Sequence, residues 1–524
     1  MFAMNNLIFI FLSVLYLNYA YTFNILVVFP YPGKSHTILG NGYVRHLLKA
    51  GHEVTYITSR PLKPHPKLKQ VDVSSNIAGF EFEKALDFDK FLKEGNPFAD
   101  MVAVYEVMAS VGNKSVTHEN VQTFLMESNE KYDLVIAEWL YTELYCGFAA
   151  IFNVPFIWSS SIETHPMILS LIDEPSNPAY FPDHMSTTVP PLTFTERVME
   201  LWGLTSLFLN RWRLEETDEK IFRDAFGPAA NKRGLPLPTL EELKYKSSMV
   251  LANSHVSLGS AYRLPQNYIP IAGYHIEDEI EPLPDNLMKI MNSASNGVIY
   301  FSMGTMMKST TMPEQFRRAL LNVFSELKET VIWKFEENLP NLPKNVHVLQ
   351  WAPQQSILAH PNCKLFITHG GLLSTTEALH FGVPIIGIPL FADQHINVMR
   401  AVNKGFALQV ELGNDTPSKL KVAIQEIISN PKYHDKIKEL WFVYHHRPTS
   451  PGTALVHWVE HVIQTKGALH LQSPALNVPF YQKLYLDLAG IVIIGMLVVL
   501  KLVKNLSTGS KKKNVQKVSK KKNK

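Results

Sequence analysis

A histidine, two glycines and a run of hydroxyl side chains lie between two apolar segments in the C-terminal half of the chain. The strand-like run KLFIT ends at Thr368, and His369-Gly370-Gly371 follow directly. Ser374-Thr375-Thr376 come next, as N-cap residues do at the beginning of a helix, and Glu377 follows them. Free backbone N–H groups at a helix start attract anions, and glycine lets a ligand approach the backbone. The spacing therefore predicts a phosphate site, with an ordinary capped turn as the alternative.

Other residue groups that could bind a metal or a nucleotide lack supporting context. Asp87-Phe88-Asp89 has the spacing of a metal-binding DxD triplet, but chance supplies such triplets readily. His445-His446 is predicted to be a surface pair at a helix end. Cys146 and Cys363 provide neither a zinc cluster nor a disulfide framework, and we expect both to be buried free thiols. No G-x-x-x-x-G-K-[ST] loop occurs, so nothing indicates a P-loop ATPase.

Short apolar segments alternate with helical patterns in both halves of the chain. They are rich in β-branched residues, as strands covered on both faces are. In the first half they are FNILVVF (23–29), HEVTYIT (52–58), YDLVIAEW (132–139) and PFIWSSS (155–161). In the second half they are GVIYFSMGT (297–305), TVIWKFE (330–336), VHVLQW (346–351), KLFIT (364–368) and VPIIGIPL (383–390). The alternation predicts an α/β chain with two Rossmann-like domains built on parallel sheets.

The boundary between these domains is placed near residues 276–286, where IEDEIEPLPDN is acidic and broken by prolines. An N-terminal domain then covers residues 21–280, and a C-terminal domain with additional helices covers residues 281–475. The segment 163–270, with its proline clusters, is expected to hold irregular helices and the linker. In such folds ligands bind at the carboxyl ends of the strands, where the His369 segment lies.

The net charge of +3 is a local property of the C-terminus. Residues 501–524 contain ten lysines and no acidic residue, which leaves 40 basic residues against 47 acidic ones, a net charge of −7, in the rest of the chain. A nucleic-acid groove is therefore not indicated. The length of 524 residues favours two domains over a single core.

Both ends of the chain carry apolar segments. LIFIFLSVLYL (7–17), with the small residue Ala20 shortly after it, is too short to span a bilayer and predicts a signal peptide over residues 1–20. An uncleaved anchor or a buried first strand is the alternative. LYLDLAGIVIIGMLVVLKLV (484–503) predicts a transmembrane helix, with the lysine-rich tail at residues 504–524 on the cytosolic side. This order predicts a single-pass type I membrane protein with a lumenal body.

The terminal residues KKNK resemble the dilysine retrieval signal of endoplasmic-reticulum membrane proteins, with a solvated lysine run as the alternative. In a lumenal body the sequons at Asn113 and Asn414 would face the glycosylation machinery. The ends of the chain therefore predict a glycoprotein of the endoplasmic-reticulum membrane.

Residues 351–394 read WAPQQSILAHPNCKLFITHGGLLSTTEALHFGVPIIGIPLFADQ. This stretch resembles the UDP-glycosyltransferase superfamily, and most closely its membrane-bound animal members of the insect type. The similarity extends to YFSMGT (300–305), RLPQNYIPIAGYH (263–275) and PYPGKSH (30–36), and to both apolar ends. The resemblance implies a GT-B fold, in which an N-terminal acceptor domain and a C-terminal donor domain face each other across a cleft.

The resemblance also implies contacts to a UDP-sugar donor. Trp351 would stack on uracil, with a tryptophan in the core at a strand end as the alternative. The other implied contacts are Gln354 and Glu377 to the ribose, His369, Gly371, Leu373 and Ser374 to the diphosphate, Ser302 to the distal phosphate or sugar, and Asp393 and Gln394 to the sugar hydroxyls. Vertebrate relatives often have asparagine where this chain has Leu373. Because leucine cannot supply that side-chain contact, UDP-glucose is expected rather than UDP-glucuronic acid.

His36 lies just past the first strand, in the position of the general base of the family. The family usually has an acid at the end of YDLVIAE that orients this histidine, and here it is Glu138 instead of the commoner aspartate. Attack from the face opposite UDP would invert the anomeric centre. UDP would leave as an anion stabilised by the helix start, so no metal cofactor is expected.

The sequence therefore predicts an inverting transferase that moves a hexose, expected to be glucose, from a UDP-sugar to a hydroxyl of small lipophilic acceptors, as in detoxification. A homo-oligomer is left open. The alternative is a catalytically inactive relative that binds hydrophobic ligands at the membrane, and a third interpretation is a transferase acting on membrane lipid or polymeric glycans. The presence of His36, Glu138 and the donor-site residues favours an enzyme.

Overall fold

A computed structural model describes residues 22–78, 80, 87–94, 101–183, 186 and 188–521. The predicted signal peptide and the last three residues of the dilysine ending lie outside the described residues. The chain divides into a compact unit that ends at Gln472 and a second unit that begins at Ser473.

The N-terminal half of the first unit is built on one parallel sheet. Its strands are β1 (Asn24–Phe29), β2 (Glu53–Thr58), β3 (Leu68–Asp72), β4 (Leu134–Trp139), β5 (Phe156–Ser160), β6 (Met249–Ala252) and β7 (Tyr268–Pro270). The described helices of this half are α1 (Lys34–Lys49), α2 (Ser75–Ala78), α3 (Phe88–Glu94), α4 (Met101–Val116), α5 (Glu119–Glu127), α6 (Gly147–Phe152), α7 (Pro166–Ser170), α8 (Phe194–Arg233) and α9 (Leu240–Lys244). The strands pair in the order β3-β2-β1-β4-β5-β6-β7.

A second parallel sheet follows. Its strands are β8 (Val298–Ser302), β9 (Thr330–Lys334), β10 (Val346–Leu349), β11 (Cys363–Thr368), β12 (Ile385–Gly387) and β13 (Ala407–Gln409). The helices are α10 (Asp285–Ser293), α11 (Glu314–Ser325), α12 (Gln354–Ala359), α13 (Leu372–Phe381), α14 (Gln394–Asn403), α15 (Thr416–Ser429), α16 (Lys432–His445) and α17 (Pro451–Gln464). The strands pair in the order β10-β9-β8-β11-β12-β13, and the two parallel sheets confirm the predicted α/β class.

Both sheets have an apolar core on each face, because successive strand side chains point to opposite sides. In β1, Ile25 and Val27 pack in one cluster, and Leu26 and Val28 pack in another. In the second sheet, Phe301 and Tyr300 likewise belong to different clusters. This two-sided burial explains why the strands are continuous apolar runs instead of alternating ones.

The strand order reverses at one point in each sheet, between β1 and β4 and between β8 and β11. In doubly wound sheets the connections leave these two neighbours in opposite directions, and a crevice opens at their carboxyl ends. His36 follows β1, and His369 follows β11. The topology therefore places both candidate histidines at crevices of the same kind.

The expectation for residues 163–270 was wrong in its main feature. Instead of irregular helices, this segment contains the 40-residue helix α8 together with β6 and β7. A capping box between Thr193 and Glu196 begins the helix, and Gly234 ends it with a φ of 65°. Apolar side chains in the first half of α8 do not keep to the side that packs on the protein, so the sequence lacks the periodicity of an amphipathic helix.

Helix α17 brings the chain back to the first sheet after the second sheet is complete. Leu455, Val459 and Val462 are buried in the same cluster as Ile25 and Val27 of β1. The predicted domain boundaries at residues 280 and 475 remain predictions.

The second unit contains α18 (Phe480–Lys483) and α19 (Leu486–Lys521). Within α19, Leu486–Ser507 has a mean hydropathy of 2.5 and is long and apolar enough to cross a membrane, and none of it is buried. Residues 486–503 of the predicted span 484–503 therefore lie within one continuous helix. Phe480, Tyr481 and Tyr485 are exposed just before this helix, where aromatic residues commonly mark a membrane interface.

Candidate functional site

A cavity of about 720 Å³ is lined by residues from the carboxyl ends of both sheets. One part of its wall is apolar and comes from the first half of the chain, including Tyr31, Val104, Met108, Leu140 and Ile162. Another part comes from the second sheet and contains all the predicted donor-site residues. His36 lines the same cavity, so the structure brings the two sets of predicted residues together.

His36 and Glu138 form a hydrogen-bonded pair. His36 lies in the first turn of α1, and its Nδ1 is 2.5 Å from Oε1 of Glu138, which is at the end of β4 and 1% exposed. Ser161 Oγ donates to the same carboxylate oxygen at 2.6 Å. The extra methylene of glutamate therefore does not prevent the contact. Since Nδ1 faces the acid, Nε2 is the ring nitrogen that remains for a substrate proton.

His369 lies between two glycines. A Cβ atom at Gly304 would be 2.5 Å from His369 Cε1, and one at Gly371 would be 2.6 Å from His369 Nε2. Larger residues at these positions would displace the imidazole. Burial, and secondarily the charge of Lys334, lower the pKa of His369 to about 4. The ring is therefore neutral near pH 7 and carries one N–H that can donate to an anion.

Helix α13 begins without a side-chain cap, which corrects one detail of the sequence prediction. Its N-cap residue is Gly371, and the helix starts at Leu372, before the three hydroxyl residues that were expected to cap it. Thr375 Oγ1 and Thr376 Oγ1 instead donate backwards to the carbonyls of Gly371 and Leu372, at 3.1 and 2.8 Å. The amides of the first turn, including those of Leu373 and Ser374, are thus left for an anion. Leu373 itself packs against the apolar cluster of the first sheet.

Glu377 is the centre of a buried polar cluster. Gln354 Nε2 donates to Glu377 Oε2 at 2.5 Å, and Gln355 Nε2 donates to Oε1 at 3.1 Å. His275 Nε2 is 3.6 Å from the same Oε1. Gln354 Nε2 also donates to Ser374 Oγ at 3.2 Å, which ties α12 to the first turn of α13. The sequence prediction did not include Gln355 and His275.

Trp351 is 59% exposed, which rules out the alternative of a core tryptophan. The Nζ atom of Lys34, from α1, is 4.5 Å from the centroid of the Trp351 ring. A cation from α1 therefore already lies on the indole that was predicted to stack on uracil.

The Asp393-Gln394 segment is held by its own hydrogen bonds. Gln394 Oε1 accepts from the backbone N–H groups of Leu390 and Phe391 at 2.9 and 3.3 Å. Asp393 Oδ2 accepts from Asn397 Nδ2 at 2.9 Å, and burial raises the pKa of Asp393. Ala392 has a φ of 53°, a conformation that costs energy for a residue with a Cβ. At the end of β8, Ser302 Oγ accepts from the N–H of Gly304 at 3.3 Å.

Lys334 also lies at the site, although the sequence prediction did not include it. It ends β9, is 6% exposed and lines the cavity. Its Nζ donates to the Gly304 carbonyl at 3.0 Å and to Glu336 Oε1 at 2.5 Å. The lysine inside the apolar run TVIWKFE could have indicated a functional residue, since charged residues are rarely buried without a partner.

The competing groups have local roles. Asp87 Oδ1 accepts from the N–H of Lys90 at 3.1 Å, and Asp89 forms an ion pair with Lys93 at 2.6 Å. In the part of the chain that the structure describes, no three His, Cys, Asp or Glu residues form a group suited to a metal ion.

The remaining predictions concern the helix-end pair, the thiols and the sequons. His445 is the last residue of α16, as predicted, and both cysteines are buried and free. Asn414 is exposed in a turn, whereas Asn113 is half-buried within α4, and their glycosylation remains a prediction.

Comparison with known proteins identifies close relatives. The family described as "UDP-glucoronosyl and UDP-glucosyl transferase" matches residues 25–524. UDP-glycosyltransferase UGT5 of Dactylopius coccus is 34% identical over 91% of this chain and 90% of its own length. UDP-glucuronosyltransferase 2B15 of Rattus norvegicus is 30% identical over 86% of each chain. The fold is similar to that of CalG4, the calicheamicin glycosyltransferase, with a TM-score of 0.55 and 16% identity over 85% of this chain and 99% of that one. This similarity confirms the GT-B fold.

Proposed function

This chain belongs to the UDP-glucuronosyl and UDP-glucosyl transferase family, and on that premise we propose that it transfers glucose from UDP-glucose to a hydroxyl of small lipophilic acceptors, with inversion. One observation carries the proposal. His36, which is hydrogen-bonded to the buried Glu138, lines the same cavity as Trp351, His369 and the uncapped start of α13. A proton acceptor and an anion site thus share one space. The alternative of an inactive relative has no support, because the chain has His36 and Glu138 together with Trp351, His369 and Glu377.

The first step removes the proton of the acceptor. In this proposal, His36 Nε2 takes the hydroxyl proton as the acceptor oxygen bonds to the anomeric carbon. Glu138, 2.5 Å from Nδ1, holds the ring orientation and stabilises the imidazolium that forms. Ser161 keeps the carboxylate in place. Reaction on the face opposite the leaving group inverts the anomeric configuration.

The second requirement is to accept the electron pair that leaves with UDP when its bond to the anomeric carbon breaks. The amides of the first turn of α13 and the neutral His369 donate hydrogen bonds to the diphosphate. Lys334, whose Nζ donates to the Gly304 carbonyl, adds a positive charge next to the glycine that packs against His369. These groups supply the stabilisation, so we expect no metal requirement, and a chelator should leave the rate unchanged.

Two features support the choice of substrates. Leu373 packs into an apolar cluster and has no group for a carboxylate, which favours glucose over glucuronic acid as the donor sugar. The apolar wall around Val104, Met108, Leu140 and Ile162 suits an acceptor with little charge. Detoxification of such compounds is the corresponding biological role.

The substrate experiment is a panel of UDP-sugars against phenols, flavonoids and steroids, with microsomes that carry this chain, scored by UDP release. We expect the highest rate with UDP-glucose and an uncharged phenolic acceptor. A higher rate with UDP-glucuronic acid would overturn the donor proposal. Transfer only to membrane lipid or to a polymeric glycan would overturn the acceptor proposal.

The cellular location is also a proposal: a type I protein of the endoplasmic-reticulum membrane with a lumenal body. The apolar helix Leu486–Ser507, followed by lysines, supports it. Protease added to sealed microsomes should remove only the lysine-rich tail. Digestion of the body before detergent is added would contradict this topology.

A further inference from the structure

The first half of α8 exposes a stripe of large apolar side chains. With 3.6 residues per turn, the members of the stripe fall within a sector of about 100° on one side of the helix. They are Phe194, Val198, Leu201, Trp202, Leu209 and Trp212. Phe194 is 74% exposed, Trp202 68% and Trp212 70%, so more than two thirds of each residue is open to solvent. Large aromatic residues that are clustered and exposed in this way mark an interaction surface.

The apolar stripe is confined to the first half of the helix. Along the same side of α8, the positions after Trp212 are Glu216, Lys220 and Arg223. Lys220 forms an ion pair with Asp224, as expected on a solvated helix. The same face thus changes from apolar and aromatic to charged within one continuous helix.

The opposite side of the first half is fixed to the protein. Glu200 is buried, accepting from the N–H of Asp183 at 3.0 Å and from Thr188 Oγ1 at 2.7 Å. Leu207 is buried in the core of the first sheet. Because these inward contacts are satisfied, the helix cannot rotate to bury the stripe without breaking them.

We propose that this stripe docks on the surface of a lipid bilayer. Its tryptophans and phenylalanine are of the kind found at membrane interfaces. Arg213, directly after Trp212, adds a positive charge beside them. The chain also carries its own candidate span, Leu486–Ser507. Only residues 473–485 separate that helix from the compact unit, and 13 residues extend at most about 45 Å. The body is thereby kept at high effective concentration near the membrane, so even weak interfacial contacts would be populated.

The test uses the full-length protein reconstituted in lipid vesicles, with a single fluorescent label. Both natural cysteines are buried, so a new exposed cysteine can be labelled selectively. Trp202→Cys places the label in the stripe, and Glu216→Cys is the matched control on the same side of the helix in the charged half. Retained UDP binding shows that each variant is folded, and Phe194→Cys replaces Trp202→Cys if that variant does not fold.

The expected result is that lipids brominated in their acyl chains quench the label at position 202 at least threefold more than the label at position 216, while iodide in the water does the reverse. Equal quenching of both labels by both agents would overturn the proposal. Protection of position 202 from both quenchers, increasing with the protein-to-lipid ratio, would show that a second copy covers the stripe and would also overturn it.

Discussion

The two sheets share a strand order and differ in the chemistry at the point where that order reverses. At the first sheet the site consists of side chains, because His36 and Glu138 form a hydrogen-bonded pair. At the second, the start of α13 offers backbone amides, and His369 is held neutral between two glycines. In the proposed function, the first crevice moves a proton and the second holds an anion. The same topology therefore fixes where a site lies, whereas the residues after each strand decide what it does.

The difference implies that the two functions can be impaired separately. His36 forms its hydrogen bond with Glu138 of the first sheet, whereas Trp351 is 59% exposed on the donor side of the cavity wall. Lys34 of α1 also reaches the donor side, because its Nζ lies 4.5 Å from the Trp351 ring centroid.

The largest effect is expected for His36→Ala. Transfer should fall by about 10²–10⁴-fold, the usual contribution of a positioned base, while UDP affinity stays within about twofold. Calorimetric titration of UDP and single-turnover transfer measure the two quantities on the same preparation. A comparable loss of UDP affinity would mean that the division between the sheets is wrong.

Trp351→Ala should show the opposite pattern. UDP binding should weaken by about 1–3 kcal/mol, the range for a base stacked on an aromatic side chain, which is about 5–150-fold. Transfer at saturating UDP-glucose should change much less than in His36→Ala. Unchanged UDP affinity would show that the indole is not the nucleotide platform.

Glu138→Ala should reduce transfer less than His36→Ala. The base remains, but its ring is no longer held. Ser161→Ala, which removes only the 2.6 Å hydrogen bond to the carboxylate, is the matched milder change and should cost less than Glu138→Ala. A larger loss in Ser161→Ala would contradict the assigned hierarchy.

The smallest effect concerns acid stability through His369. The unfolded chain protonates this histidine near pH 6.5, whereas burial lowers the folded pKa to about 4, so stability falls as the pH decreases between these values. His369→Gln should therefore lose less thermal stability than the unchanged protein when the pH is lowered from 7 to 4.5. Equal losses of Tm in both proteins would show that His369 is not held neutral.

The sequence was most informative where a site depends on residues close together in the chain. The His369 segment follows a continuous apolar run and contains two glycines, so the sequence alone predicted both the strand and the turn after it. Lys334 comes from another strand, and only the folded sheet brings it to the cavity. His275 comes from a loop, and only the fold brings it to within 3.6 Å of Glu377. The hydroxyls of α13 misled the prediction because serine and threonine can cap a helix or bond backwards to its carbonyls, and only the backbone geometry decides which. Helix α8 was missed because its first half exposes its apolar residues.

The most direct test of the central claim is the turnover of two acceptors by His36→Ala, an acidic nitrophenol and an aliphatic alcohol of similar size. If His36 removes the proton, the nitrophenol, which needs least help to lose it, should retain far more of its original rate than the alcohol. A ratio of the two losses of at least tenfold is the predicted result. Equal losses for both acceptors, or no loss for either, would contradict the assignment of His36 as the base.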